Sequence, residues 1–332
     1  MSGPELGRRD LMRALAVSAA TAFSRKARAQ AAKKPVRVGF VPLGSASNTY
    51  DQSLLAAFRR GLRRVGLMED RDVILDVVWV TRGPDAAVAE VLERGADILI
   101  TCGSSASVAA RRHTWTIPIV FISVGNPVGI GLAESTSRPG HNATGFSDIL
   151  AALGGKLVGL TQDLNKPRRD IDYLWHTNWP DGQERFRLTQ EAALTAGLNF
   201  RSRGVAELAE AQEAISELKS SGATTLLVQP SPFTYRQRDQ LINLAAEHGL
   251  GTIFAFPIAA REGALMAYGP DYTHMHDRAP FYLDRILKGA KPADLPIEEA
   301  SKLELVINLK TAKAIGVDVP LSLLVGADEL IE

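Results

Sequence analysis

From Val36 onward the chain alternates short apolar runs rich in β-branched residues with stretches of helical period, and that alternation leaves few folds open. "VRVGFV" (36–41) has the length and composition of a buried strand. "DQSLLAAFRRGLRRVG" then places Leu54, Leu55, Phe58, Leu62 and Val65 on one helical stripe, closed by Gly66. "VILDVVWV" (73–80) reads as a second strand. Pro84 opens a helix with Val88, Val91 and Leu92 on one face, and Gly95 ends it. "DILIT" (97–101) and "IPIVFIS" (117–123) follow as strands three and four. Strands separated by helices of this length imply right-handed crossovers and a parallel sheet.

After "ATGFSD" (143–148) the pattern restarts. A helix over 151–164, a strand at 170–177, a helix over 180–196 and "LNFRSR" (198–203) lead on to a helix over 206–220. "TTLLVQ" (224–229), a helix over 234–247 and "GTIFAF" (251–256) complete a second unit. The reading is an α/β fold of two doubly wound parallel-sheet lobes, with no residue-level repeat between them. The tail adds a strand with a turn (263–272), a helix (273–288), the Pro-punctuated link "GAKPADLP" and one more strand and helix (302–316). These elements have no sheet of their own. They are assigned to the lobes by crossing back: 35–147 with about 265–300 as lobe 1, and 148–262 with about 303–332 as lobe 2. Several crossings side by side would make a multi-strand hinge.

The N-terminus carries a different message. Arg8, Arg9 and Arg13 precede an apolar run from Ala14 to Phe23, and Ala27-Arg28-Ala29 gives a small-x-small site before Gln30. Residues 1–29 therefore read as a secretory signal peptide cleaved near Ala29, and "RRDLMR" resembles the twin-arginine export motif. Export implies a periplasmic location. The whole chain has 38 Lys/Arg against 37 Asp/Glu, a net charge of +1. Residues 1–29 hold six of the basic and two of the acidic residues, so the remainder carries −3. Nothing in that balance favours nucleic acid. No later stretch reaches the roughly eighteen consecutive apolar residues of a membrane span.

Catalytic signatures are scarce. Cys102 is the single cysteine, which excludes an internal disulfide and a multi-cysteine zinc site. As a nucleophile it would need a base nearby, and none follows closely in sequence; it reads as a small buried hydrophobe at a strand end. His274 and His276 in "HMHD" point about 200° apart on a helix and form no chelating pair; they read as a solvated face. "GSSAS" has neither the lysine nor the spacing of a phosphate loop, and no GxSxG turn occurs. No metal, cofactor or catalytic residue is assigned.

Ligands of open parallel sheets bind beyond the carboxyl ends of the strands. The loops there nominate Ser45, Ala46, Ser47 and Tyr50 after strand one, Ser104 and Ser105 after strand three, and Asn126 and Pro127 after strand four. The second unit offers Asn178, Trp179, Phe233 and Phe256, and the tail offers Gly269 and Asp271. Ser104 and Ser105 stand at a helix N-terminus whose free N–H groups suit a carboxylate, or else cap that helix. The aromatic residues can wall an apolar group or simply pack. Asp271 can meet an ammonium group or form a turn.

Several segments together carry a family resemblance: "FRRGLRRVGLMEDRDV", "IPIVFISVGNPVGIGL", "RPGHNATG", "GALMAYGPDY", "ILKGAKPADLPIE" and "KLELVINLKTAKAIGVDVP". They resemble the ABC-transporter substrate-binding proteins of the tryptophan/tyrosine-binding type along nearly all of the chain after residue 30. The resemblance implies a type I periplasmic-binding-protein fold with a three-strand hinge and a small amino-acid-like or carboxylate ligand in the inter-lobe cleft. It also implies an ABC permease partner in the inner membrane and a monomer. One departure stands out: the loop after the first strand of lobe 2 is "HTNWPDG", with Trp179 inserted in a polar turn. A sensory module reporting to a signalling partner would have the same site, and a two-lobed enzyme is the remaining alternative.

Overall fold

The computed structural model describes residues 34–332 apart from 151 and 180. The signal-peptide segment, residues 1–29, lies outside the described residues. The first sheet is built from β1 (Val36–Val41), β2 (Val73–Val77), β3 (Ile98–Cys102), β4 (Ile119–Val124) and β5 (Ala143–Ser147), joined at its edge by β11 (Glu298–Glu299). Its order is β11-β5-β4-β3-β1-β2, and every pairing is parallel. Helices α1 (Thr49–Arg64), α2 (Pro84–Glu93) and α3 (Ser104–His113) are its crossovers. Helices on both faces explain why β3 and β4 are buried at every position: Ile100 and Ile122 face Phe58 and Leu62, while Leu99 and Phe121 face Val88 and Val91.

The second sheet has the order β13-β12-β10-β9-β8-β6-β7. Its strands are β6 (Asp170–His176), β7 (Asn199–Val205), β8 (Thr225–Val228), β9 (Gly251–Phe254), β10 (Met266–Pro270), β12 (Leu303–Asn308) and β13 (Glu329–Ile331). Only the β10–β12 pair is antiparallel. Helices α4 (Gly154–Asn165), α5 (Gly182–Thr195) and α6 (Leu208–Ser220) are followed by α7 (Pro232–Arg236), α8 (Arg238–Glu247) and α9 (Pro257–Arg261). The single helix read over 234–247 is thus two, parted at Gln237.

The return segment departs from the sequence assignment. The strand expected with the first lobe, β10, pairs with β9 and β12 in the second sheet. The chain re-enters the first lobe only at Asp271, as α10 (Tyr272–Arg278) and α11 (Pro280–Leu287), and leaves it after β11. The helix read over 273–288 breaks before Pro280, which has no N–H to continue the ladder. Helix α10 lies so close to α1 that a Cβ on Gly61 would stand 2.1 Å from the carbonyl oxygen of Asp277. That contact requires glycine.

Three crossings therefore join the lobes: after Ser147, at Asp271, and between Glu299 and Leu303. They run side by side, since the Ala300 N–H donates to the Ser147 carbonyl at 2.9 Å and the Asp271 N–H to the Lys302 carbonyl at 3.0 Å. In the first crossing Ile149 has φ of 51°, a conformation that a β-branched residue adopts only under strain.

Candidate functional site

The carboxyl ends of the two sheets face each other across a cleft, and the lobes touch there. The Tyr235 hydroxyl, on α7 of the second lobe, donates to Asp51 Oδ1 on α1 at 2.7 Å, and the Ser45 N–H donates to Asp51 Oδ2 at 2.7 Å. Asn48 Nδ2 donates to Glu262 Oε1 at 3.3 Å, and Glu262 also accepts from Arg238. Burial pushes the Asp51 carboxyl up, against the pull of these hydrogen bonds.

Between the lobes lies a cavity of about 20 Å³ walled by Leu43, Leu150, Pro230, Phe256 and Trp179 around a polar centre. At that centre Arg185, on α5, is 5% exposed, and its Nε and Nη1 have no hydrogen-bond partner among the described residues. Its guanidinium lies 4.9 Å from the Trp179 ring. It reaches across to the first lobe, where a Cβ on Gly125 would fall 1.7 Å from Nη2, so any side chain at this position would displace the guanidinium. Opposite stands Asp148, 3% exposed, which accepts from Ser123 Oγ at 2.9 Å and from the Leu150 N–H at 3.1 Å. The β4–β5 register slips between Phe121 and Val124, and Ser123 takes φ of 63° there. Tyr272, the first residue of α10, is 3% exposed with its hydroxyl unpartnered; burial holds that phenol well above 10 and therefore neutral. Arg185, Asp148, Ser123 and Tyr272 are not among the residues nominated from the loops.

Of the nominated residues, Ser104, Trp179 and Phe256 line this cavity. Ser104, Ser105, Asn178 and Trp179 also line a groove of about 440 Å³ that shares Ser104 and Trp179 with it. Neither serine caps α3: the N-cap is Gly103, at φ of 81°, with no side-chain cap bond. Asp181 stands in the same groove with Oδ2 unpartnered; burial raises its carboxyl and Arg185 pulls it back.

The other nominated residues lie outside the linings of this cavity and groove. Asp271 caps α10 through the His274 N–H at 3.0 Å and takes Lys302 Nζ at 2.8 Å, so both oxygens are engaged at the hinge and the acid facing the cleft is Asp148 instead. Asn126 is exposed and accepts the Gly129 N–H at 2.8 Å in a local turn, which the Pro127 carbonyl continues by accepting from Leu132. Ser45, Ala46 and Ser47 are exposed, and the Ser45 and Ser47 hydroxyls bond to each other at 2.9 Å. Phe233 stacks on His176 at 4.8 Å within the second lobe. Tyr50 directs its hydroxyl at Thr273 beside the hinge. Gly269 is a packing position, where a Cβ would stand 2.0 Å from the Ala255 carbonyl oxygen.

His276 corrects the reading of "HMHD" as a solvated face. It is buried, and its Nε2 lies 3.6 Å from Cys102 Sγ. Nδ1 donates to the Tyr272 carbonyl at 2.7 Å, which leaves Nε2 as acceptor of the thiol proton. Burial pushes the thiol up to about 12 and the imidazole down to about 4, so both partners are neutral, the reverse of an activated cysteine. Cys102→Ser keeps a donor for Nε2 and is expected to cost about 1 kcal/mol of stability with ligand binding unchanged. Calorimetric titration beside a melting curve checks this; lost function with an intact fold would restore a nucleophilic role.

Comparison with known proteins agrees with this geometry. Residues 58–331 match the family model described as ABC transporter substrate binding protein. A curated tyrosine-binding protein of Clostridioides difficile is 25% identical over 220 residues, covering 66% of this chain; the chain spans 63% of that relative's length. Two solved structures are similar in fold. A conserved domain protein from Vibrio cholerae has a TM-score of 0.82 at 21% identity, covering 90% of this chain and 100% of its own. An ABC domain in complex with L-Trp from Streptococcus pneumonia has a TM-score of 0.79 at 20% identity, with the same coverage of both chains. The architecture is the type I periplasmic-binding-protein fold. With that architecture and the match over residues 58–331, the chain belongs to the ABC transporter substrate-binding proteins.

Proposed function

We propose that the chain is the solute-binding receptor of an ABC importer, working in the periplasm and presenting its ligand to a membrane permease. The ligand is a carboxylate of the aromatic amino-acid class, held between the lobes. The observation that carries this reading is the Arg185 guanidinium, nearly sealed from solvent with two nitrogens unpartnered. Buried guanidinium nitrogens left without hydrogen-bond partners are costly, and an anionic group arriving from the ligand relieves that cost. Trp179, Phe256 and Tyr272 supply an aromatic wall beside it. The tyrosine-binding relative and the L-Trp complex point to the same class.

The deep cavity takes the charged end of the ligand and the groove beside Trp179 takes its side chain. The three adjacent crossings let the lobes part for entry, and the ligand favours closure only as far as it contacts both lobes at once.

A thermal-shift screen of the chain from residue 30 against L-tyrosine, L-tryptophan and L-phenylalanine tests the reading. A ligand at a hundred times its Kd adds about 2.7 kcal/mol, a rise of roughly 4 °C for a chain of this size. Absence of any shift with all three removes the amino-acid assignment.

A further inference from the structure

We infer that the lobes are clasped by a latch outside the ligand's cavity, with Asp51 and Asn48 at the start of α1 on one side and Tyr235 and Glu262 on the other. It adds to the receptor reading above a contribution to closure that no ligand atom makes.

Each lobe holds its half of the clasp ready. On the first, Asn48 Oδ1 caps α1 by accepting the Asp51 N–H at 3.1 Å, which leaves Nδ2 to donate across to Glu262. Asp51 Oδ2 takes the Ser45 N–H, and the carboxyl packs so closely on Gly44 that a Cβ there would fall 2.0 Å from Oδ2. On the second lobe a capping box of Ser231 and Thr234 fixes the start of α7. Arg238, 2% exposed, then aims both partners. Its Nη1 donates to the Tyr235 carbonyl at 2.8 Å, and its Nε and Nη2 hold the Glu262 carboxylate at 2.5 and 2.9 Å. The charge of Arg238 is thus paired within its own lobe, while the Tyr235 hydroxyl and Glu262 Oε1 point at the other.

Within this network only Tyr235–Asp51 and Asn48–Glu262 run from lobe to lobe. Parting the lobes breaks these two bonds and leaves the others intact. The freed hydroxyl, amide and carboxyls then meet water, so the net gain from the latch is modest and the lobes can still open. None of the four residues, nor Arg238, lines the cavity or the groove beside it. The clasp nevertheless adjoins the cavity on both sides: Leu43, next to Gly44, and Ser231 and Pro232, at the start of α7, are part of its lining. Making the latch therefore sets the two walls of the cavity in register before any ligand contact. The closed fraction of the empty protein in turn scales the apparent affinity for every ligand alike.

The test measures the distance between the lobes in the chain from residue 30 with no ligand added. Spin labels go on through Glu93→Cys and Glu213→Cys, exposed sites on α2 and α6, which follow the edge strands β2 and β7. The native Cys102 is buried and stays unlabelled. Double electron–electron resonance should find the wild type mostly closed. Tyr235→Phe keeps the ring packing and strands Asp51 Oδ1 in the closed form alone, so the closed-to-open ratio should fall about 10-fold or more. Asn48→Ser keeps a cap on α1 but does not reach Glu262, and should lower the ratio about 3-fold; it decides if Tyr235→Phe does not fold. Whichever of L-tyrosine, L-tryptophan and L-phenylalanine binds, Tyr235→Phe should weaken each by one common factor. A wild type that is mostly open, or populations unchanged in the variants, overturns the latch and leaves the receptor reading standing. Unequal losses among the ligands also overturn it, by making Tyr235 a ligand contact. Failure of all three amino acids to bind removes the amino-acid assignment, and the distance measurement still decides the latch.

Discussion

Arg185→Met should abolish high-affinity ligand binding and leave the ligand-free protein as stable as before, or more so. The two effects have one cause. In the free protein the guanidinium is buried with Nε and Nη1 unpartnered, so an apolar side chain of similar length removes a desolvation cost and keeps contact with Trp179. In the complex the same change leaves the ligand's anionic group unpaired, a loss of about 2–5 kcal/mol, or roughly thirty-fold to several-thousand-fold in Kd. Calorimetric titration measures the binding loss, and thermal or urea unfolding measures the stability. A gain in stability traded against affinity is the signature of a functional residue. A variant that unfolds, or that binds normally, would make Arg185 a structural residue and remove the main support for the receptor reading. Gly125→Val, which crowds the guanidinium from the other lobe, should reproduce the loss of binding.

Acidification to pH 4 should cost the protein about 3 kcal/mol through His276 alone. Burial lowers its folded-state pKa to about 4, against about 6.5 in the unfolded chain. Between those values the unfolded state binds the extra proton, so stability rises with pH across the window, is fully present above about 6.5, and drains away as pH falls toward 4. Asp51 acts with the opposite sign, because burial raises its carboxyl and the folded state holds that proton more tightly. Its effect is common to wild type and a His276 variant and cancels in their difference. His276→Gln keeps a donor for the Tyr272 carbonyl and does not titrate. Urea unfolding of both proteins from pH 7 to pH 4 should show the variant's stability falling about 3 kcal/mol less than the wild type's. Parallel curves would mean that His276 is solvated.

Most elements were legible from periodicity, because parallel strands buried on both faces and helices with one apolar stripe leave strong local patterns. Sheet membership was not, because it is decided by partners far along the chain. Residues 266–270 look like a strand from sequence, but their pairing with β9 and β12 is set by where the second lobe ends. The same limit explains the site. Asp148 and Asp271 both follow strands, yet Asp271 is turned into a helix cap and Asp148 into the cleft. Arg185 sits in an unremarkable helical pattern, and what singles it out, burial without a partner, exists only once the lobes meet. In "VGNPV" the informative residue is Gly125, whose missing side chain makes room for Arg185, rather than the polar Asn126. His276 reads as solvated from sequence because the helix carrying it is buried against Gly61 on α1, a glycine with no signature in its own helix.

The return segment has a consequence for biosynthesis. Strands β1 to β5 have all been synthesised by Ser147, yet the edge strand β11 and the helix that covers α1 come from residues 272–299. At ordinary elongation rates the first lobe waits on the order of ten seconds with one sheet edge unpaired and one helix face bare. The first lobe is first in sequence and among the last parts to be completed. The two lobes are therefore not separable fragments: a chain stopped before Glu298 carries two unfinished units, and the last thirty-five or so residues close both.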